Sequence, residues 1–186
     1  MFFKKASKIV NYLKNSKKIY KLLKLIDTSL TIDKNNCEIT QMASILLLNG
    51  PNLNLLGERE ADIYGNVSLA SIENRLQDIA KKENHDICCF QSNAEHELVE
   101  RVQISKKDGL TFAIANPAAF THTSIALRDA FLAAKLPFIE VHLSNFHARE
   151  PFRRQSYFSD IAEAMICGFG EFGYEVALKF IIEKLR

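Results

Sequence analysis

An apolar run gives way to a polar loop in Ser44-Ile-Leu-Leu-Leu-Asn-Gly-Pro-Asn52, and this junction sets the architecture. Four consecutive apolar residues bounded by turn residues are typical of a strand that is buried on both faces. The loop continues to Arg59 and Tyr64, and an arginine five residues before a tyrosine can stabilise a phenolate. Loops after the carboxyl ends of strands hold the ligands of open α/β sheets, so this loop is a predicted ligand site.

Strand-like and helix-like segments alternate from Ala43 onward. Apolar runs without polar alternation predict five strands, at Ser44–Asn49, Asp86–Gln91, Leu110–Asn116, Pro137–His142 and Ala164–Phe169. Amphipathic segments predict helices near Ser68–Lys82, Glu95–Lys106, Thr123–Ala134 and Glu171–Leu185. Short connections and right-handed crossovers then give an α/β fold, a flavodoxin-like doubly wound five-stranded parallel sheet with strand order 2-1-3-4-5.

The N-terminal residues differ in charge from the rest of the chain. Residues 1–42 hold nine lysines, no arginine and three acidic residues, a net charge of +6, which leaves −4 on the remainder. A basic arm on a mildly acidic body argues against a nucleic-acid-binding core. Residues 1–41 are a basic extension with three open interpretations: an amphipathic helix on a membrane surface, a solvated or disordered tail, or translation started upstream of Met42. Residues 42–186 form the predicted flavodoxin-like domain.

Cysteine and motif patterns exclude several classes of site. The four cysteines form no Cys-x-x-Cys pair, which predicts reduced, small apolar residues and a reducing cytosol. Adjacent Cys88 and Cys89 lie in a predicted strand, so one of them should face the core. The histidines lack His-Glu-x-x-His or Cys/His spacing, and no metal site is expected. The first βα loop lacks Gly-x-Gly-x-x-Gly, and the chain has neither a Walker loop nor a Gly-x-Ser-x-Gly elbow.

Three polar segments follow the first, third and fourth predicted strands, which are neighbours in this strand order. The first segment offers Asn49 and Asn52, the second covers residues 116–124, and the third covers residues 140–149. Because the carboxyl ends of parallel strands lie at one edge of a sheet, we expect the three segments to meet in one crevice.

Glu140, His142 and Ser144 share one face of the fourth predicted strand, since side chains alternate along a strand. A carboxylate beside an imidazole fixes the tautomer and increases basicity, which is typical of general acid–base catalysis. A structural Glu–His pair at a sheet edge is the alternative. Arg149 and Arg153 follow in a short loop and suit an anionic ligand, with ordinary solvated arginines as the alternative.

His122 lies near the start of the third predicted helix, where free backbone N–H groups favour an anionic or polar oxygen ligand. Its neighbours Thr121, Thr123 and Ser124 are interpreted as helix N-caps rather than as catalytic groups.

Asn116 precedes Pro117 and is either a turn element or a ligand for a carboxylate. His85, in a helix-to-strand turn, and His96, between two glutamates, are expected on the solvated surface.

Taken together, these segments resemble type II 3-dehydroquinate dehydratase, an enzyme family of the shikimate pathway. The resemblance runs from about Ala43 to the C-terminus, leaves out residues 1–41, and rests on Leu48-Asn-Gly-Pro-Asn-Leu-Asn-Leu-Leu-Gly57, Arg59-Glu60, Tyr64-Gly65, Gln91-Ser-Asn93, Asn116-Pro117, Thr121-His-Thr-Ser124, Leu127-Arg-Asp-Ala130, Glu140-Val-His-Leu-Ser-Asn145, His147-Ala-Arg-Glu150 and Phe152-Arg153.

The resemblance implies a cytoplasmic homo-oligomer, a dodecamer of four trimers, with the flavodoxin-like fold. It implies conversion of 3-dehydroquinate to 3-dehydroshikimate by anti elimination of water through an enolate. It also implies that the reaction needs no cofactor, no metal and no Schiff-base lysine of the kind used by the unrelated type I enzymes.

The resemblance also implies roles for the residues of the reaction. Tyr64 is the expected base that removes the C2 proton, with Arg59 favouring its phenolate form. Asn52 is expected to hold a water at the enolate oxygen. His142, oriented by Glu140, is expected to protonate the departing C1 hydroxyl.

Further residues are implied in substrate binding. The substrate carboxylate is expected to contact Asn116, Ser144 and a backbone N–H near Leu143. Ring hydroxyls are expected to contact His122 and Arg153. Arg149 belongs to a mobile lid with the base and its arginine, and Asp129 is expected to reach a neighbouring subunit's site.

The chain departs from the family pattern at a few positions. Ala61 stands where the family commonly has Pro, Ala118 where it has Gly, and Phe120 where it has Tyr; Ala94 and His96 depart from a frequent His/Gly pattern. None removes an expected catalytic group. The alternatives to an active dehydratase are a flavodoxin-like module that only binds a small anion, and an enzyme tethered to a membrane by residues 1–41.

Overall fold

The computed structural model describes residues 30–32, 39–57 and 67–185, and the chain divides into two compact units, Met1–Met42 and Ala43–Arg186. In the first unit, strand β1 (Leu30–Ile32) pairs antiparallel with β2 (Ile39–Gln41), a pairing that the sequence did not predict. The first 29 residues, where an amphipathic helix is one interpretation of the basic extension, lie outside the described residues. No helix in the described part is long and apolar enough to cross a membrane.

The second unit is built on five parallel strands: β3 (Ser44–Asn49), β4 (Asp86–Gln91), β5 (Leu110–Asn116), β6 (Phe138–His142) and β7 (Ala164–Cys167). Their order in the sheet is β4-β3-β5-β6-β7, which is the predicted order 2-1-3-4-5. The prediction of a doubly wound, flavodoxin-like α/β fold is confirmed.

Four helices cover the two faces of the sheet. Helices α1 (Leu69–Lys82) and α4 (Phe172–Leu185) pack on one face, and α2 (Glu95–Gln103) and α3 (Ile125–Ala134) pack on the other. Alternate residues of β3 enter each core: Ile45 and Leu47 the first, Leu46 and Leu48 the second. This double burial explains why the strand is apolar throughout. The two edge strands, β4 and β7, keep their side chains at least partly exposed.

The observed ends of the helices and strands differ from the predicted ends by up to three residues. Ser124 Oγ accepts the backbone N–H of Leu127 at 2.9 Å, so this serine is the N-cap and α3 begins at Ile125. Strand β7 ends at Cys167, two residues before the expected end, because Gly168 takes a left-handed conformation with φ of 81°. Helix α2 ends at Gln103 rather than at Lys106.

Gly50 brings the loop after β3 directly against the loop after β5. Its backbone N–H donates to the carbonyl oxygen of Asn116 at 2.8 Å. A Cβ on Gly50 would lie 2.3 Å from the carbonyl oxygen of Pro117, a distance that only glycine avoids. The first and second polar segments are therefore joined at the carboxyl edge of the sheet.

His85 is buried, so its assignment to the solvated surface was wrong. Its Nδ1 accepts the backbone N–H of Ala43 at 3.1 Å and ties the turn after α1 to the entrance of β3. A local polar sequence does not reveal a partner that the fold brings from a distance. His96 is exposed as predicted, and Cys89 packs against the first core while Cys88 is exposed.

Candidate active site

A cleft of about 360 Å³ opens at the carboxyl edge of β3, β5 and β6. All three polar segments contribute to its wall, which confirms the predicted convergence. Eight of the residues singled out in the sequence line it: Asn52, Asn116, His122, His142, Leu143, Ser144, Arg149 and Arg153. The aliphatic part of the wall comes mainly from the loop after β3, with Leu53, Leu55 and Leu56.

Glu140 lies directly behind His142 and is fully buried. Its Oε1 is 2.8 Å from His142 Nε2, as the alternation of β6 predicts. The same oxygen accepts hydrogen bonds from Thr121 Oγ1 at 2.5 Å and from Ser156 Oγ at 2.7 Å. The Thr121 hydroxyl therefore binds the Glu140 carboxylate, and the assignment of Thr121 as a helix N-cap was wrong.

The environment of Glu140 keeps its carboxyl group ionised. Burial by itself raises the pKa of Glu140, but the hydrogen bonds and charge of His142, with the hydroxyls of Thr121 and Ser156, outweigh it. The pKa therefore lies below its usual value, and the group is a carboxylate at neutral pH. A carboxylate beside Nε2 requires that this nitrogen carry a proton, which leaves Nδ1 of His142 as the other reactive position.

The rings of His122 and His142 both contact the ring of Phe146 edge-on. The Phe146 ring centroid is 5.9 Å from that of His122 and 4.8 Å from that of His142. His122 Nδ1 is 2.7 Å from the carbonyl oxygen of Gln155 and must donate to it, so Nε2 is an acceptor in the neutral ring. Burial lowers the pKa of His122, and the positive charge of Arg153 acts in the same direction.

A buried chain of polar groups connects the ends of β3 and β5 to α4. Tyr174 donates its hydroxyl to Asn49 Oδ1 at 2.7 Å and accepts from Asn116 Nδ2 at 2.8 Å. Asn116 Oδ1 also accepts the N–H of Ala118 at 3.2 Å. Asn116 is thus both a turn element and a wall of the cleft, with one Nδ2 hydrogen left for a ligand.

Asn52 is held in a left-handed conformation, with φ of 66°. Its backbone N–H donates to Asn93 Oδ1 at 2.9 Å. Gln91 Nε2 contacts the same oxygen at 3.1 Å and the carbonyl oxygen of Gly50 at 3.2 Å. The segment after β4 therefore fixes the backbone that presents the exposed Asn52 side chain to the cleft.

Two arginines and one glutamate form the rim of the cleft. Glu150 Oε2 is 3.0 Å from Arg153 Nε and 3.5 Å from Arg149 Nε. Both guanidinium groups are partly buried, whereas the carboxylate is about half exposed. These three side chains carry a net charge of +1, which favours an anionic ligand.

Four of the expected site residues do not line the described cleft, and one of them, Glu140, lies behind His142. Asp129 is exposed on α3 and does not line the cleft. Arg59 and Tyr64 fall within residues 58–66, outside the described residues.

Comparison with known proteins places this geometry in a family. The family model "Dehydroquinase class II" matches residues 43–182. A curated 3-dehydroquinate dehydratase from Marinobacter nauticus is 58% identical over 145 residues, which cover 78% of this chain and 99% of the relative. The chain belongs to the class II dehydroquinase family. A 3-dehydroquinate dehydratase from Xanthomonas oryzae pv. oryzae is 57% identical over 145 residues, covering 78% of this chain and 98% of that protein.

A solved structure of a class II dehydroquinase has the same fold. The type II dehydroquinase of Butyrivibrio crossotus is 38% identical, with a TM-score of 0.73, and the match covers 75% of this chain and 97% of that chain. This agreement supports the recognition of the fold and family from the sequence motifs.

Sequence reasoning missed several residues that build this dehydroquinase cleft. Thr121 was interpreted as a helix N-cap. No place in the site was predicted for Ser156, Tyr174 or Glu150. Their hydroxyl and carboxylate groups carry no local pattern, so only the folded chain reveals their partners. Within the described residues, no three His, Cys, Asp or Glu side chains are grouped to hold a metal ion.

Proposed function

We propose that the cleft is the active site of a dehydratase that converts 3-dehydroquinate to 3-dehydroshikimate. Family membership and the names of the relatives support this activity. The observation that carries the mechanism is a buried carboxylate, Glu140, bonded to a histidine, His142, in the wall of a cleft with a positive rim. This arrangement supplies a general acid beside an anion-binding surface.

The acid is His142 in its imidazolium form. Nε2–H donates to Glu140, so the proton transferred to substrate is the one on Nδ1. The carboxylate balances the charge of the ring and keeps it oriented. The proton passes to the C1 hydroxyl, the C1–O bond breaks, and water leaves.

The base is Tyr64, as a phenolate favoured by Arg59; both residues follow β3 in the sequence. It takes a proton from C2, and the electrons of the C–H bond pass to the C3 carbonyl oxygen to form an enolate. Asn52 holds a water that donates to this oxygen. When the enolate collapses, its electron pair forms the C1=C2 double bond and the C1–O bond breaks. The electron pair of that bond leaves with the hydroxyl group, which departs as water.

The remaining polar groups bind the substrate. The carboxylate is held by the second Nδ2 hydrogen of Asn116, the hydroxyl of Ser144 and a backbone N–H near Leu143. Nε2 of neutral His122 accepts a hydrogen bond from a ring hydroxyl, since its Nδ1 is already committed to Gln155.

The arginines of the rim complete the binding site. Arg153 contacts a second ring hydroxyl, and Arg149 closes over the anion with the loop that carries the base. Their positive charge also raises the local concentration of an anionic substrate.

The enzyme acts in the cytoplasm as a dodecamer built from four trimers, and it needs neither a metal nor a cofactor. Asp129, exposed on α3, reaches the cleft of a neighbouring subunit. Mixing Asp129→Asn and His142→Gln subunits under reassembly conditions then restores activity that neither variant has alone. Reassembled mixtures as inactive as their parents would refute the shared site.

Residues 1–41 precede the catalytic domain of residues 42–186 as an extension, and nucleic acid is not among the partners proposed for the protein. Co-sedimentation with anionic vesicles separates a tail from a membrane arm. Equal pelleting of the full chain and a form starting at Met42 supports the tail. Pelleting of the full chain alone supports the membrane arm.

Turnover tests the function directly. Purified protein is mixed with 3-dehydroquinate, and the enone absorbance of 3-dehydroshikimate is followed with chelator or borohydride present. We expect growth in the wild type and in the control Tyr157→Phe, and loss in Tyr64→Phe. No growth from folded wild-type protein would refute the dehydratase and favour a module that only binds an anion.

A further inference from the structure

We propose that Thr121 and Ser156 are positioning residues of the acid step, whose hydroxyl groups hold Glu140 as an anion and thereby keep His142 ready to donate from Nδ1. This inference rests on the proposed function. It assigns a role to two side chains that do not line the cleft and that come from different segments of the chain.

Hydrogen bonding is concentrated on one oxygen of Glu140. Oε1 has three polar neighbours: Thr121 Oγ1 at 2.5 Å, Ser156 Oγ at 2.7 Å and His142 Nε2 at 2.8 Å. Oε2 is buried and has no hydrogen-bond partner among the described residues. The charge of the carboxylate is therefore stabilised almost entirely through Oε1.

The direction of the two hydroxyl hydrogens follows from the surroundings of Ser156. Its Oγ accepts the backbone N–H groups of Phe158 at 2.9 Å and Ser159 at 3.1 Å, which occupies both lone pairs. Its own hydrogen must then point to Glu140. Thr121 Oγ1 lies 3.4 Å from Ser156 Oγ, which has no acceptor capacity left, so Thr121 also donates to Glu140.

Three donors and no acceptor around one oxygen fit a carboxylate and do not fit a carboxylic acid that must place its own proton there. With one hydroxyl removed, burial favours the protonated form of Glu140. The carboxyl then donates to His142 Nε2, which reverses the tautomer of the ring. The proton needed at Nδ1 loses its balancing charge, and acid catalysis weakens.

Other titratable groups surround this carboxylate, and they define the control measurements. His142 comes from the same strand, His122 from the turn after β5, and Cys167 from β7; Arg153 is the charged neighbour of His122. None of them donates to Glu140 Oε1 except His142. A shift in the pH profile that follows the hydroxyls is therefore assigned to Glu140 and not to these neighbours.

The test compares hydroxyl-free and hydroxyl-retaining variants in steady-state assays with 3-dehydroquinate across pH. Thr121→Val and Ser156→Ala remove one donor each, while Thr121→Ser keeps it. Thr111→Val and Ser159→Ala are matched controls at exposed positions.

We expect kcat of the hydroxyl-free variants to fall about 10- to 100-fold with KM changed less than about threefold, because a hydrogen bond to a charged group is lost. The acidic limb of the kcat profile should move to higher pH by about one to two units. The kcat of Thr121→Ser should stay within about threefold of the wild-type value. Both control variants should have the wild-type kcat and pH profile.

Several outcomes would overturn the inference. Hydroxyl-free variants that keep wild-type kcat and pH profile show that the hydroxyls do not act on the acid. A Thr121→Ser variant as impaired as Thr121→Val shows that packing of the methyl group matters instead. If Thr121→Val fails to fold, Ser156→Ala, at a half-buried position, decides alone. An inactive wild type would refute the proposed function itself, a result distinct from active wild type with insensitive variants.

Discussion

Replacing Tyr174 by Phe tests whether the buried chain between α4 and the strand ends stabilises both the fold and the cleft. The ring keeps its packing, and only the hydroxyl is lost. That hydroxyl donates to Asn49 Oδ1 and accepts from Asn116 Nδ2, at 2.7 and 2.8 Å. Tyr174 is fully buried, and burial raises the pKa of its phenol, so the group is neutral and acts only through these hydrogen bonds.

The magnitude follows from the two amide groups left behind. Each buried polar group without a partner costs about 1–3 kcal/mol, so we expect the free energy of unfolding to fall by about 3 kcal/mol. Asn49 already has a buried Nδ2 without a hydrogen-bond partner among the described residues, so it has little capacity to compensate. We also expect KM to rise about tenfold, because the Asn116 amide, which lines the cleft and is proposed to bind the substrate carboxylate, loses its orientation.

Urea unfolding followed by circular dichroism, at equal protomer concentration, measures the first effect, and steady-state kinetics measure the second. Tyr157→Phe is the control, at a half-buried position. A double-mutant cycle of Tyr174→Phe with Asn116→Ala should be non-additive, because both changes break one hydrogen bond. A loss of stability below about 0.5 kcal/mol would refute the reasoning, and additive losses would refute the coupling.

Three other substitutions test separate parts of the cleft. Ala118 has φ of 52°, so Ala118→Gly should stabilise the fold by about 1 kcal/mol in urea unfolding; a destabilised variant would show that the Cβ contacts outweigh the strain. Glu150→Gln removes the carboxylate shared by the rim arginines, so KM for the anionic substrate should fall about twofold at low salt; a rise in KM would show that the carboxylate positions the arginines. The pKa of Glu140 is lower in the folded state than in the unfolded state. The ionised carboxylate therefore stabilises the fold at pH values above its unfolded pKa, and this stabilisation disappears as the pH falls through its folded pKa. Glu140→Gln should cost about 2 kcal/mol at pH 7, and the difference should narrow below about pH 4; a constant difference would contradict this linkage.

The sheet could be predicted because its determinants are local. Strand β3 is buried on both faces, and its four apolar residues reveal this without knowledge of any partner. The Glu140–His142 contact was also predictable, since two residues of spacing on one strand bring side chains together. The ends of elements were less certain, because Gly168 and Ser124 act through backbone conformation and capping.

The supporting groups of the cleft could not be predicted, because their partners are distant in the chain. Tyr174 is separated by 58 residues from Asn116 and by 125 from Asn49, and only the packing of α4 on the sheet joins them. Ser156 is 16 residues from Glu140, in a segment without regular periodicity. The sequence shows that these hydroxyl groups are present, but it does not indicate which carboxylate or amide each of them binds.

The motif after β3 contains two kinds of asparagine, and burial separates their functions. Asn49 is fully buried and bonds to Tyr174, whereas Asn52 is exposed on a left-handed turn and lines the cleft. A sequence motif gives both residues equal weight. The physical consequence differs. A substitution at Asn49 leaves the buried Tyr174 hydroxyl without its acceptor, whereas one at Asn52 removes a polar group from the wall of the cleft. Asn49→Ala should therefore lower the free energy of unfolding more than it lowers kcat. Asn52→Ala should lower kcat and leave the free energy of unfolding at the wild-type value. The opposite pattern would mean that the left-handed turn, rather than its side chain, is what the motif preserves.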